Sequence, residues 1–363
     1  MPLIFFTVTN DLSYDQRMDR ICTSLTQAGY QVTLIGRRRR SSVTITKKTY
    51  GQKRLNCIFE TGKLFYIEFN VRLLIFLLFK RMDCICAIDL DTIVPCYYIS
   101  RLKKVKRMLD SHEYFSQQKE VITRPDIYKM WHWIERKYLP QFPYGYTVSA
   151  SIADTFKRKY KVHHQVIRNL PVLTDHPIVT GNYPRIILYQ GAVNEARGFE
   201  SLIPAMKHID AVLHIYGTGN LVEQVKALIS INNLENKVLL MGPVLPGNLN
   251  VISESAYIGV NLVENTGLNQ YYSLANKFFD FIQNTLPQVT MNFPEYKKVN
   301  EEFEVAILID ETNVRNIEDA IVQLLTDEHL YSRLKDNCRL ARKELNWQKE
   351  EKKLIDLYKQ IVG

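Results

Sequence analysis

The chain has 363 residues, enough for two or three domains. Its 46% hydrophobic and 23% charged content, with only 15 glycines and 13 prolines, excludes a collagen-like, low-complexity or disordered protein. Lys and Arg number 47 against 38 acids, and the net charge of +9 favours anionic partners such as nucleotides, lipid headgroups or nucleic acid without choosing among them.

In the first half, short apolar runs predict strands at LIFFTV (3–8), QVTLIG (31–36), CIFE (57–60), CICAI (84–88), KRML (106–109) and GYTVS (145–149), most of them separated by helical segments. After Asp15, the residues Met18, Ile21, Cys22 and Leu25 form one apolar helical stripe, which Gly29 ends. The opening MPLIFFTVTNDLSYDQ has no basic stretch before its apolar run and turns polar after Val8, so it reads as a first buried strand and a cytoplasmic location is expected. The longest apolar run, Leu73 to Phe79, is far short of the ~20 residues of a spanning helix. Six scattered cysteines (Cys22, Cys57, Cys84, Cys86, Cys96, Cys338) lack CxxC spacing and read as reduced, mostly buried thiols.

The stretch RNLPVLTDHPIVTGNYP (168–184) holds three prolines and no helical period, so it predicts an interdomain linker. Strand and helix alternation then restarts, with strands at 185–191, 211–217, 237–242, 258–263, 288–291 and 306–309 and a helical tail after Asn313. The expected architecture is α/β, two doubly wound Rossmann-like domains with an interdomain cleft, and strand-end loops as the place to seek function.

Three segments of the second half carry candidate chemistry. YGTGN (216–220) places GxG, with Gly217, after a strand; the third glycine of a dinucleotide fingerprint falls at Val222, which favours a tight turn over nicotinamide binding. In QGAVNEARGFESL (190–202), Arg197 follows a strand and the Gly191 turn, where it either reaches a diphosphate or stands as a solvated cation at a helix start. In ENTGLNQYYSLANKFFDFIQNTLPQV (264–289), Ser273 is expected to cap a helix that starts with Asn276 and Lys277 and carries Asp280 one turn later, an anion site with a ribose acceptor or an ordinary amphipathic helix over Phe278, Phe281 and Ile282.

Taken together these segments resemble the retaining nucleotide-sugar glycosyltransferases of the GT-B fold, glycosyltransferase family 4 (group 1), over essentially the whole chain. QGAVNEARG is similar to the family's donor loop, with Arg197 in its lysine slot and Ala192 in its arginine slot, so that Lys277 is expected to replace the missing cation. FFDFIQNTLPQV resembles the segment whose acid contacts ribose, which implies that role for Asp280. Tyr272 stands where the first acid of that motif belongs, and Glu264 of ENTG is the alternative near the donor sugar.

In the first half, TNDLSYDQR (9–17) with Asp11 occupies the place of the family's glycine-rich loop but has no glycine. MLDSHEYF (108–115) resembles the segment whose histidine faces the donor sugar, which implies a catalytic His112 with Asp110 and Glu113 beside it; a structural histidine is the plainer alternative. Asp89 and Asp91 of DLDT read as acceptor-side acids, with helix caps and metal ligands as alternatives, and His163–His164 as a loop pair. RRRR (37–40) and the cation-flanked run 72–81 read either as a membrane-surface anchor or as a solvated loop and a buried helix.

The resemblance thus implies an acceptor-side domain over 1–170, a nucleotide-sugar domain over 171–345 and a crossing helix over 346–363. It implies sugar transfer from a UDP- or GDP-sugar to an acceptor hydroxyl with retention, in surface polysaccharide or glycolipid synthesis. The implied catalytic residues are His112, Arg197, Lys277 and Glu264, and the implied donor-binding residues Gly191, Arg197, Gly217, Ser273, Asn276, Lys277 and Asp280. No cofactor, metal or nucleic acid is expected. The expected partners are a nucleotide sugar, a glycan or lipid-linked acceptor and an anionic membrane surface. An inactive nucleotide-sugar-binding or scaffold protein of the same fold is the alternative, motivated by Tyr272 and Ala192.

Overall fold

The computed structural model describes residues 1–13, 15–174 and 185–363. The last ten residues of the linker prediction, 175–184, lie outside the described residues. The chain divides into two compact units, one of residues 1–169 with 350–363 and one of residues 170–349.

In the first unit, strands β1 (Leu3–Thr7), β2 (Gln31–Arg38), β3 (Gly51–Asn56), β4 (Cys84–Ile88), β5 (Lys106–Ser111), β6 (Tyr144–Thr147) and β7 (Gln165–Val166) form a parallel sheet in the order β3-β2-β1-β4-β5-β6-β7. Every residue of β4 is buried, as expected for a central parallel strand covered on both faces. The helix Gln16–Gln27 starts where the Asp15 carboxylate accepts from the Met18 N–H, and it lays Met18, Ile21, Cys22 and Leu25 on the sheet, all fully buried. Met18, Ile21 and Leu25 each contribute roughly 1.5–3 kcal/mol by leaving water.

One predicted strand is corrected. CIFE is not a strand; the edge strand β3 is the preceding GQKRLN, and Ile58 and Phe59 stand exposed beyond it. An edge strand with one face toward water needs few apolar residues, so apolar content pointed to the wrong segment. The tetrad RRRR is also not uniform. β2 runs on to Arg38, and Arg37 is buried, its guanidinium 4.1 Å from the centre of the Phe65 ring and donating to the Glu60 carbonyl at 2.8 Å.

In the second unit, β8 (Ile186–Gln190), β9 (Val212–Tyr216), β10 (Val238–Gly242), β11 (Ile258–Asn261), β12 (Gln288–Met291) and β13 (Ala306–Ile309) form a parallel sheet in the order β10-β9-β8-β11-β12-β13. Its core joins Ile187, Tyr189 and Ile215 of the sheet to Phe278, Phe279 and Ile282 of the helix Asn276–Gln283. In both units the strand order reverses beside the first strand, between β1 and β4 and between β8 and β11. Loops leaving the carboxyl ends of such strand pairs diverge and leave a crevice, where ligands bind in open α/β sheets.

The helix Trp347–Val362 belongs to the first unit from Glu350 onward. There Tyr358 packs its ring 6.0 Å from Phe6 and 6.3 Å from Tyr146, and Glu350 accepts from the Arg168 N–H at 2.9 Å. All six cysteines are free thiols; burial pushes Cys84 and Cys96 up to about 12, which leaves them protonated and unreactive. Among the described residues no helix is long and apolar enough to cross a membrane.

Candidate functional site

In the second unit, β8 ends in the buried Gln190 and turns at Gly191, whose φ of +127° suits glycine. The loop from β9 lies directly against this turn. Gly191 donates its N–H to the Tyr216 carbonyl at 2.9 Å, and Val193 donates to Thr218 at 3.0 Å. Gly217 makes this approach possible, because a Cβ there would run into the Gly191 carbonyl. The GxG turn of YGTGN therefore packs two strand-end loops together, which is the tight-turn reading of that motif. The loop after β11 joins them where Glu264 donates its N–H to the Ala196 carbonyl at 3.1 Å. Ala196 itself has φ of +60°, a left-handed conformation that disfavours any residue with a Cβ by roughly 1–2 kcal/mol and that presents Arg197 beside it.

Lys277, in the first turn of the helix Asn276–Gln283, is buried and reaches this crossing. Its Nζ lies 3.7 Å from the centre of the Tyr189 ring and 3.5 Å from where a Cβ on Gly191 would stand. That Nζ has no hydrogen-bond partner. Burial pushes the amine well below its usual pKa, the nearby Arg197 guanidinium pushes it further, and Asp280 partly opposes them. Two basic side chains therefore converge on a glycine turn. The polar atoms Thr266 Oγ1, Gln270 Oε1 and Ser273 Oγ on the same segment are also buried without a partner. Buried polar groups ordinarily find partners, so these three on one loop make it a candidate for a polar ligand.

Asp280, one turn beyond Lys277, accepts from Gln190 Nε2 at 3.0 Å, and Gln190 Oε1 accepts from the Ser253 hydroxyl at 3.2 Å, so the carboxylate is oriented at the end of β8. Asn276 is exposed at the helix start and Glu264 is half-buried. The expected cap is corrected: Ala275, not Ser273, occupies the N-cap, with no side-chain cap bond, and its own N–H is held by the Tyr296 hydroxyl at 3.0 Å. Two residues too early in the chain, Ser273 cannot reach the N–H groups that a capping side chain serves.

The first unit has a second polar cluster, at the ends of β1, β4 and β5. Arg17, 4% exposed, donates to Asp110 at 2.9 Å and to the Ile167 carbonyl at 3.2 Å. Asp110, fully buried, holds His112 Nε2 at 3.0 Å with its other oxygen. The His112 N–H donates to Asp89 at 2.8 Å, and the Asp89 N–H donates to the Asp110 carbonyl at 2.9 Å. Asp89 has φ of +54°, strained for a residue with a side chain. Burial alone would lower the His112 pKa, but Asp110 and Asp89 overcome it and raise it to about 9, so the ring is an imidazolium at neutral pH with 19% of its surface exposed. Burial would raise Asp110, yet Arg17 and His112 hold it below the usual range. Asp91, which accepts from the Thr9 hydroxyl across the strand reversal, is pushed by burial up to about 7.

Of the sequence candidates, the structure therefore groups Gly191, Gly217, Arg197, Lys277, Asp280 and Glu264 at one crossing in the second unit. It groups His112, Asp110, Asp89 and Asp91 in the first unit, with Glu113 near enough to act on both Asp89 and Asp91. Asp11 is engaged elsewhere: its carboxylate ties the loop after β1 to Arg54 at 2.5 Å and to Ser42. Asp89 and Asp91 make no helix-cap bond, and no group of three metal-ligating side chains occurs among the described residues. His163 is exposed, and the buried His164 donates from Nε2 to the Phe142 carbonyl at 2.9 Å.

Sequence reasoning missed Arg17, Tyr189 and Gln190. Arg17 had a signal: it precedes the buried Ile21 by four residues and Ser24 by seven, and a cation on a buried helical stripe demands a buried acid.

Two parallel, doubly wound sheets with these strand-end clusters define the GT-B glycosyltransferase fold. Residues 175–341 match the family model described as "Glycosyl transferases group 1", which makes group 1 the family that this chain resembles. Among solved structures, sucrose-phosphate synthase from Thermosynechococcus elongatus superposes with a TM-score of 0.80 at 15% identity over 99% of both chains. A glycosyltransferase from Rickettsia africae gives 0.72 at 13% identity over 99% of this chain and 98% of that one. Anabaena HepE, solved in complex with UDP and glucose, gives 0.75 at 10% identity over 99% of this chain and all of its own. No curated protein matches the chain by sequence.

Proposed function

We propose that the protein is a glycosyltransferase that moves a sugar from a nucleoside diphosphate sugar, UDP- or GDP-linked, to an acceptor hydroxyl with retention. The second unit takes the donor. The observation that carries this reading is the buried, unpartnered Lys277 amine beside Arg197 at the Gly191 turn. A pyrophosphate supplies the negative charge that this pair lacks, and the same cations stabilise the charge that develops on the leaving nucleoside diphosphate. Asp280 suits the ribose hydroxyls as an acceptor, and Glu264 and Ser273 are the remaining polar groups for the donor. UDP-bound relatives of the same fold favour a uridine donor.

The first unit takes the acceptor. His112 offers a positively charged N–H donor to the reacting sugar, and Asp89 and Asp91 line the acceptor side. Retention follows the front-face course in which a donor phosphate oxygen accepts the acceptor proton as the glycosidic bond breaks. Surface polysaccharide or glycolipid synthesis, a glycan or lipid-linked acceptor and peripheral association with an anionic membrane complete the reading. Titration calorimetry with UDP and GDP tests donor binding, and detection of released nucleoside diphosphate from a panel of sugar donors tests turnover. Binding without release assigns the protein to the inactive, nucleotide-sugar-binding class; no binding of either nucleotide at millimolar concentration overturns the reading.

A further inference from the structure

The helix Gly62–Leu78 is apolar on two opposite faces. Phe65, Phe69, Leu73 and Leu77 recur every fourth residue and are buried against the first unit. At 100° per residue, Leu64, Ile67, Val71, Ile75 and Leu78 fall within about 80° of one another on the opposite side. All five are exposed, Ile67 by 60% and Ile75 by 52%, and Phe79, just past the helix end, by 82%. A surface helix ordinarily turns polar residues to water on that side; a helix apolar all round is one that something else covers. From Leu64 to Leu78 the stripe runs about 21 Å at 1.5 Å per residue.

The charges around the stripe say what covers it. Lys63 stands at one end, Lys80 and Arg81 at the other, and Arg72 along its border. The one acid in residues 62–81, Glu68, is already committed: it accepts from the Ile58 and Phe59 N–H groups at 2.9 Å and from Arg72 at 2.7 Å. Those bonds also draw the exposed Ile58 and Phe59 alongside the helix, which widens the apolar surface. A two-fold contact with a second copy would set Lys63 against Lys80 and Arg81 in an antiparallel pairing, or each cation against itself in a parallel one. An apolar stripe rimmed by Lys63, Lys80 and Arg81, with Arg72 paired to Glu68 on its border, matches the interface of a bilayer with anionic headgroups.

We propose that the outward face of the helix Gly62–Leu78, with Phe79 at its end, is a membrane-docking surface that lies in the headgroup region of an anionic bilayer. The inference deepens the membrane-peripheral part of the proposed function, and lipid binding is read without nucleotide, so either can fail while the other stands. The test is co-sedimentation of the whole chain with vesicles of phosphatidylcholine, alone or with about one-third phosphatidylglycerol. Partitioning is expected about tenfold higher on the anionic vesicles. V71Q/I75Q changes only exposed side chains and is expected to lower it about tenfold with the unfolding temperature unchanged. K80Q/R81Q is expected to lower it several-fold and to remove most of the preference for anionic lipid. Binding that both double variants leave intact, or none on either vesicle, overturns the proposal. A concentration-dependent dimer that V71Q/I75Q abolishes also overturns it and assigns the face to a second copy.

Discussion

The two polar clusters are built on opposite electrostatic plans. In the first unit the charges alternate: the Arg17 cation, the Asp110 carboxylate and the His112 imidazolium each sit against the opposite sign, with Asp89 closing the chain through the His112 N–H. In the second unit two basic groups meet, because Arg197 bears on a Lys277 amine that has no hydrogen-bond partner, with Asp280 only partly opposing it. Alternation fixes one geometry within the protein itself. Convergence of two basic groups leaves a deficit of negative charge that an anionic ligand removes. On the proposed function, the first cluster is a positioned tool and the second a receptor.

The largest expected effect breaks the first plan. Arg17→Met removes one of the two cations held against the fully buried Asp110 and should lower unfolding stability by about 3–5 kcal/mol, measured by urea denaturation. Lys277→Met should do the reverse: removing an unpartnered buried amine is expected to raise stability by about 1–2 kcal/mol, while calorimetry shows UDP or GDP affinity falling by about 1.5–3 kcal/mol. Equal destabilisation by the two substitutions would erase the contrast between the clusters. Arg197→Ala and Asp280→Ala should each weaken nucleotide binding by about 1–3 kcal/mol, and unchanged affinity in both would remove them from the donor site.

Two smaller effects follow from protonation. The Lys277 pKa is depressed in the empty site and should rise when a diphosphate arrives, so nucleotide affinity should fall as pH rises through that interval, a dependence that calorimetry across pH should find absent in Lys277→Met. His112 has a folded pKa of about 9 against 6.5 for the ordinary ring. Its contribution to stability is fully present below about pH 6.5 and is lost as pH rises through 9. Denaturation curves across that window should flatten in His112→Asn.

The strand and helix alternation was legible because parallel strands covered on both faces are continuous apolar runs, as in CICAI. The edge strand GQKRLN was not legible, since its residues face water and look like a loop. The donor-side candidates were visible as a cation after a glycine turn and a cation at a helix start. Their convergence was not, because it depends on Gly217 letting the loop from β9 lie on Gly191. The role of Arg37 ran against its setting in RRRR: one member of an apparently solvated run is buried under Phe65.

By itself the sequence determined the class of fold, two doubly wound sheets, and the residue types available at the strand ends, because periodicity and turn residues are local properties. Tertiary structure alone decided which of those residues meet, and so which lose water and shift their pKa. Arg17 meets Asp110 across 93 positions of chain and Lys277 meets Gly191 across 86, and both the desolvation and the electrostatic coupling that tune them act through space.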